Sequence, residues 1–219
     1  METSFWLERW SKHEIGFHQR RVNAYLQRFW PQLALKNDTS VFVPLCGKTL
    51  DMHWLRERGH RVLGVEIARN AVREFFTEWQ VEPQVQRSGA FERWSAAGIT
   101  LLCGDFFALT AGDLVDVAAV FDRASLIALP ESMRPRYAQK MLEILPPSAP
   151  TMLITVDYAQ HEMPGPPFAV GDDEIHCLYG TSRIDVLGEF DVTDAPDNAR
   201  FRQRGLSKLV ERVYRIQTT

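Results

Sequence analysis

Residues 41–52 read VFVPLCGKTLDM. The run begins as a short apolar, β-branched segment and ends like the first turn of a helix, with one glycine, Gly47, at the junction. In an open α/β sheet the ligand crevice lies outside the carboxyl ends of the strands, so a strand–turn–helix of this kind is where a small molecule binds. Dinucleotide-binding units place several glycines here to bring backbone against a pyrophosphate. A single glycine permits close approach or positive φ at one residue only. Lys48-Thr49 looks like the end of a phosphate loop, but GxxxxGK[ST] needs glycine at position 42, where the chain has Phe42. That excludes a nucleoside triphosphatase and leaves Lys48 as a solvated base.

Outward from this stretch, strand-like and helix-like segments alternate. Residues 49–58 place Leu50, Trp54 and Leu55 at helical spacing and stop at Gly59. Residues 61–67 (RVLGVEI) form a second buried strand, and 70–80 set Val72, Phe75, Phe76 and Trp79 on one helix face. Strands are predicted at 99–103, 115–121 and 151–156, with a helix over 131–145. Short apolar strands separated by helices indicate a parallel sheet covered on both faces, doubly wound by right-handed crossovers. Segments 183–192 and 206–217 alternate in part on either side of a polar loop, 193–204, and read as a late antiparallel pair. A mainly parallel sheet finished by a late antiparallel hairpin resembles the Rossmann-like class I methyltransferase fold, an analogy of architecture alone. Ahead of the first strand, 18–30 places Val22, Leu26 and Phe29 on one face and predicts a helix.

Hydrophobic residues make up 45% and charged residues 24% of the 219-residue chain, a globular composition that suits one domain. A net charge of -3 provides no electrostatic reason to expect nucleic acid or anionic lipid as partner. No apolar run approaches the roughly 20 residues that span a bilayer, and residues 1–17 lack the apolar core of a signal peptide. Cys46, Cys103 and Cys177 are scattered and suit reduced thiols. The six His residues show no metal-ligand spacing and no GxSxG elbow occurs. The expectation is a cytoplasmic monomer with no metal, nucleic acid or membrane partner.

The residues just after each strand carry the candidate chemistry. Glu66 ends the second strand, 66 − 47 = 19 residues beyond the glycine turn, the spacing at which a carboxylate receives both hydroxyls of a ribose. Asp105 and Phe106 follow the third strand, placed to meet an adenine amino group and its ring, or else to serve as helix cap and core aromatic. Asp122 and Arg123 follow the fourth, where an arginine holds an anionic acceptor, or else makes a plain surface pair with its neighbour. Residues 164–168 (PGPPF) are stiff and poor in backbone donors, a wall or a rigid connection.

Taken in order, VFVPLCGKTLDM, RGHRVLGVEI, REFFTE, FDRASL and HEMPGPPF, with a W-x6-FHQ element from Trp10 to Gln19, closely resemble the thiopurine S-methyltransferases over essentially the whole chain. The resemblance implies methyl transfer from S-adenosyl-L-methionine to a thiol sulfur, with a small thiol or heteroaromatic thiol as acceptor. Bacterial members are also associated with selenium and tellurium compounds. It places Trp10, Leu45, Gly47, Glu66 and Arg123 at donor-binding positions and Asp105 and Phe106 beside the adenine. Asp105 departs from the mammalian pattern, where serine is usual. Phe17, Arg123, Pro167 and Arg200 fall at acceptor-contacting positions, Arg123 doubling as the residue that assists catalysis. Residues 1–39 become a helical cover over the site of a single domain, 1–219. Two alternatives stay open: a related halide- or thiocyanate-type methyltransferase, and a donor-binding protein without catalysis.

Overall fold

The opening stretch forms β1 (Ser40–Val43), buried at every position as a strand covered on both faces must be. The structure is a computed structural model describing residues 3–147 and 149–218. These fall into two units. One runs up to Phe121 and takes in Ile144–Pro146; the other holds Asp122–Glu143 and the described residues from Pro147 onward.

In chain order the first unit holds α1 (Thr3–Ser11), α2 (Ala24–Phe29), β1, α3 (Asp51–Glu57), β2 (Arg61–Glu66), α4 (Arg69–Trp79), β3 (Gln84–Ser88), β4 (Phe91–Ala96), β5 (Ile99–Cys103) and most of β6 (Val117–Arg123). Its strands stand in the order β3-β4-β5-β2-β1-β6. β1 pairs in parallel with β2 on one side and β6 on the other, and β2 pairs in parallel with β5. The chain therefore leaves β1 in one direction and returns on its other side, which makes the carboxyl end of β1 a topological switch point.

The β3–β4 hairpin, antiparallel to itself and to β5, is absent from the sequence reading. β3 is exposed along its whole length, so no apolar alternation marks it. The predicted helix over 18–30 is also corrected: α2 begins only at Ala24. Asn23 accepts hydrogen bonds from the Tyr25 and Leu26 amides and so caps the helix there. Its own N–H donates to buried Asp51 Oδ1 at 2.7 Å, tying the cap to the start of α3.

The second unit holds α5 (Arg134–Ile144) apart from its last residue, then β7 (Thr151–Asp157), α6 (Asp172–Tyr179), β8 (Ser182–Asp191), α7 (Ala199–Gln203) and β9 (Val210–Thr218). β9 lies between β7 and β8 and is antiparallel to both, so the predicted C-terminal antiparallel pair is present. α6 has no counterpart in the sequence reading, and the loop 193–204 contains a 3-10 turn (Pro196–Asn198) followed by α7. The fold is α/β on a mixed sheet, parallel in the middle of the first unit and antiparallel at its β3–β4 edge and in the second unit. No described helix is long and apolar enough to cross a membrane.

Candidate active site

At the switch point the chain turns sharply. Leu45 has φ +43° and Gly47 φ +53°, two left-handed residues in three. For leucine that conformation carries a cost of about 1–3 kcal/mol and persists only where its surroundings impose it. Here the Cys46 N–H donates to Val65 O at 2.9 Å, locking the turn to β2. A Cβ added at Gly47 would stand 3.1 Å from the Trp10 ring, so the glycine also keeps the space under that indole open.

Glu66 closes the turn from the end of β2. Its Oε2 accepts the Gly47 N–H at 2.8 Å and its Oε1 accepts the Ala68 N–H at 2.7 Å, bridging two strand ends. The residue is 5% exposed. Burial pushes its carboxyl up, against the backbone N–H groups of Ala68, Gly47 and Ile67, which favour the ion.

The aromatic side chains of the N-terminal segment sit on this turn. Trp10 is buried with Ala68, which precedes α4, and Ala71 within it, and Ile15 and Phe17 pack against that group. Phe17 meets Trp10 edge-on at 5.6 Å and Trp6 at 5.4 Å. Trp10, Phe17, Leu45, Gly47 and Glu66, scattered over 57 positions of sequence (66 − 10 + 1), are thus gathered in the first unit. Asp105 and Phe106 follow the adjacent strand end, where the Gly104 N–H donates to Glu66 O at 2.9 Å. Asp105 is exposed and caps a short 3-10 turn through the Phe107 amide, while Phe106 is buried.

Two thiols border the same turn. Burial, then the charge of Glu66, raises Cys46 well above its usual value. Cys103 is pushed up to about 11 by burial first and then by Glu92 and Glu66. Both stay protonated at neutral pH and are poor nucleophiles.

Lys48 is a correction. It is 8% exposed rather than solvated, and its Nζ lies 2.8 Å from Glu74 and 2.6 Å from Glu78, one turn apart on α4. Burial lowers its pKa, but the hydrogen bonds it donates to both carboxylates, with their charge, outweigh that and raise it. The i, i+4 spacing of the two glutamates in REFFTE is the sequence signal for this clamp.

The second unit carries the remaining candidates. Arg123 ends β6 and is followed by left-handed Ala124, φ +63°. Asp122 corrects the alternative of a surface pair: it is fully buried and its Oδ2 accepts the Tyr137 hydroxyl at 2.7 Å. Burial pushes it up to about 6, against hydrogen bonds from Tyr137, Ser125 and the Leu126 amide. Adjacent strand residues point to opposite faces, which separates the environments of Asp122 and Arg123. The segment 164–168 is well anchored. Pro167 O accepts the Tyr158 hydroxyl at 2.6 Å, and the Phe168 N–H donates to Ile127 O at 2.7 Å, in the 3-10 turn that follows Arg123. Arg200 is exposed on α7, its guanidinium 4.6 Å from the centre of the Phe201 ring. Phe201 shares a hydrophobic cluster with Tyr158 and Met163, against which Ile127 packs. The elements bearing Arg123, Pro167 and Arg200 are therefore tied to one another within this unit. Among the described residues no three His, Cys, Asp or Glu side chains converge as metal ligands.

Solved structures share this architecture. An S-adenosylmethionine-dependent methyltransferase from Anabaena variabilis superposes with TM-score 0.66 at 13% identity, over 98% of this chain and 93% of that one. The 1,6-didemethyltoxoflavin-N1-methyltransferase of Burkholderia thailandensis, with its substrate and S-adenosylhomocysteine bound, gives TM-score 0.65 at 12% identity, over 99% and 87%. The fold is that of the S-adenosylmethionine-dependent methyltransferases. Within that class the chain belongs to the thiopurine S-methyltransferase family, whose model matches residues 1–219. The thiopurine S-methyltransferase of Nitrosospira multiformis is 50% identical over 219 residues, covering 100% of this chain and 99% of the relative. That of Pseudomonas putida is 47% identical over 216 residues, covering 99% of each. The chain is an S-adenosylmethionine-dependent methyltransferase.

Proposed function

We propose that the chain methylates the sulfur of thiopurines, or of related soft thiol, selenium or tellurium acceptors, by in-line displacement. The observation that carries the reading is the Glu66 bridge. Oε2 accepts the Gly47 N–H and Oε1 the Ala68 N–H, with the Ile67 N–H also favouring the ion, and the remaining acceptor capacity of the carboxylate faces a ribose hydroxyl. The cradle suits S-adenosylmethionine for a second reason: Leu45 and Gly47 present backbone, rather than a glycine-rich phosphate loop, to a ligand with an amino-acid end and a nucleoside. When bound, the donor supplies a methyl group already activated on a sulfonium.

The residues of the chain then bind, orient and exclude water. Glu66, Leu45, Gly47 and Trp10 hold the donor, with Asp105 and Phe106 beside the adenine. Phe17, Pro167 and Arg200 serve a flat acceptor. Arg123 stabilises its thiolate form, and the thiol proton leaves through water that the guanidinium orients. Thiolate and sulfonium neutralise each other as they react, so a dry site does not oppose the reaction, and alignment supplies most of the acceleration. No strong general base is needed for an acceptor already largely ionised at neutral pH. We read the whole chain as one catalytic domain with 1–39 as its cover, a cytosolic monomer.

The test is a panel of a thiopurine, an aryl thiol, a selenol and iodide with labelled donor, alongside calorimetry with S-adenosylhomocysteine. Turnover led by the thiopurine or another soft thiol is expected. Turnover of iodide alone moves the protein to the halide-type enzymes, and tight binding without any turnover makes it a donor-binding protein.

A further inference from the structure

Asp122 is a buried acid that methyl transfer does not use, directly before the arginine that serves the acceptor. Around it the Tyr137 hydroxyl donates to Oδ2 at 2.7 Å from α5, and the Ser125 hydroxyl and the Leu126 amide favour its ionised form, while Oδ1 is buried without a hydrogen-bond partner among the described residues. Asp122, Ser125 and Tyr137 are all fully buried. An ionised carboxylate is acceptor-only and suits these donors, whereas an asparagine would turn its own N–H groups toward one of them. The chain wraps around this carboxylate. It leaves β6 at Arg123, reverses through left-handed Ala124, and enters a 3-10 turn in which the Ala128 N–H donates to Ser125 O at 3.0 Å. That turn is held in its own right by the Phe168 amide on Ile127 O, and Arg134 Nε donates to Leu129 O at 3.0 Å just beyond it.

We infer that Asp122, held by Tyr137 and Ser125, is the positioning residue that sets where Arg123 meets the acceptor. The inference rests on the acceptor role of Arg123 proposed above. Burying a carboxylate is unfavourable, and Asp122 titrates near 6 for that reason. A group kept at such a cost beside a functional arginine is explained by the geometry it enforces on both flanks of residue 123. An Arg side chain on its long stem does little orienting by itself, and displacement of about 1 Å at a reacting centre lowers rates severely.

The experiment is a double-mutant cycle on the full chain, read with whichever acceptor of the panel turns over fastest. Tyr137→Phe removes one donor from Asp122 with little change of volume; Asp122→Asn reverses part of the network. In the native background Tyr137→Phe should lower kcat/KM for the acceptor about tenfold, chiefly through kcat, and leave the S-adenosylhomocysteine Kd within about twofold. In an Arg123→Ala background the same change should move kcat/KM by less than about twofold, because the residue it positions is gone. Equal losses in both backgrounds overturn the inference while leaving Arg123 in its role. A loss confined to donor affinity overturns it likewise. If Arg123→Ala itself leaves turnover intact, the acceptor role of Arg123 falls and the positioning role with it. Should Asp122→Asn not fold, Tyr137→Phe and Ser125→Ala complete the cycle.

Discussion

Glu66 and Asp122 stand at the ends of two parallel-sheet strands, β2 and β6, and both are buried carboxyls that burial pushes upward. They differ in what holds them. Glu66 is met by backbone N–H groups, that of Gly47 in the turn after β1 and those of Ile67 and Ala68 just beyond its own strand. Asp122 is met by Tyr137, reaching from a helix 15 residues further along the chain, and by the hydroxyl of Ser125. Backbone donors stay in place whatever the side chains do, so the position of Glu66 is set by the main chain. A shell of side chains can be lost one mutation at a time, and it makes Asp122 a fixture of the fold rather than a ligand for a substrate. Perturbed carboxyls cluster at functional sites, but the source of the donors separates a binding acid from a positioning one.

The sharpest way to break this contrast is Glu66→Ala. It should raise the Kd for S-adenosylhomocysteine at least about 100-fold, near 3 kcal/mol, with the fold retained; an unchanged Kd by calorimetry removes Glu66 from the donor site. Arg123→Ala comes next. It should lower kcat about 30-fold, with part of the loss recovered on acceptors of lower thiol pKa, because an already ionised acceptor needs less help. A uniform loss across acceptors would assign Arg123 to the donor or to the fold instead.

A pH experiment probes the other acid. The folded pKa of Asp122, about 6, lies above the usual 3.8, so the native state binds a proton that the unfolded chain has already released. Stability contributed by that proton is present below about pH 4 and is lost as pH rises through 6. Between pH 4.5 and 7 the native protein should lose about 2 kcal/mol relative to Asp122→Asn in urea unfolding. Parallel curves for the two proteins would mean that Asp122 titrates normally. His60 works in the opposite direction. Buried beneath Trp30, whose indole N–H donates to its Nε2 at 3.1 Å, it has a lowered pKa, so its protonation in the unfolded chain erodes stability as pH falls below about 6.5. The Asp122→Asn comparison cancels that term.

The smallest effect expected is at Gly47. Alanine there takes up an unfavourable φ and presses a methyl group toward the Trp10 ring. Donor affinity should fall about fivefold, roughly 1 kcal/mol, with a comparable loss of stability. Undiminished affinity would mean that the turn tolerates a Cβ and that Trp10 yields.

Much of this was legible from the residues. The strands of the parallel core, the helices after them and the antiparallel C-terminal pair follow from apolar periodicity, because it reflects burial within a single element; the methyltransferase class follows from the resemblance carried by the ordered motifs. The exposed β3–β4 hairpin was not legible, since a strand with no buried face has no pattern to show. The start of α2 was not legible either: the apolar spacing runs back to Val22, and only the Asn23 cap and its bond to Asp51 stop the helix there. Lys48 was read by its type, as a charge is usually solvated; two glutamates 26 and 30 residues away made it a buried clamp.

The sequence alone determined the glycine turn and the acid that closes it, because a strand end, one glycine and a carboxylate 19 residues on are marked locally along the chain. Only the tertiary structure decided what Asp122 is. Aspartate followed by arginine is an ordinary surface pair in any one-dimensional reading. It becomes a buried anchor because a tyrosine on a separate helix donates to it at the end of β6. Burial and the direction of a distant donor are properties of packing, and packing is set by residues far apart in the chain.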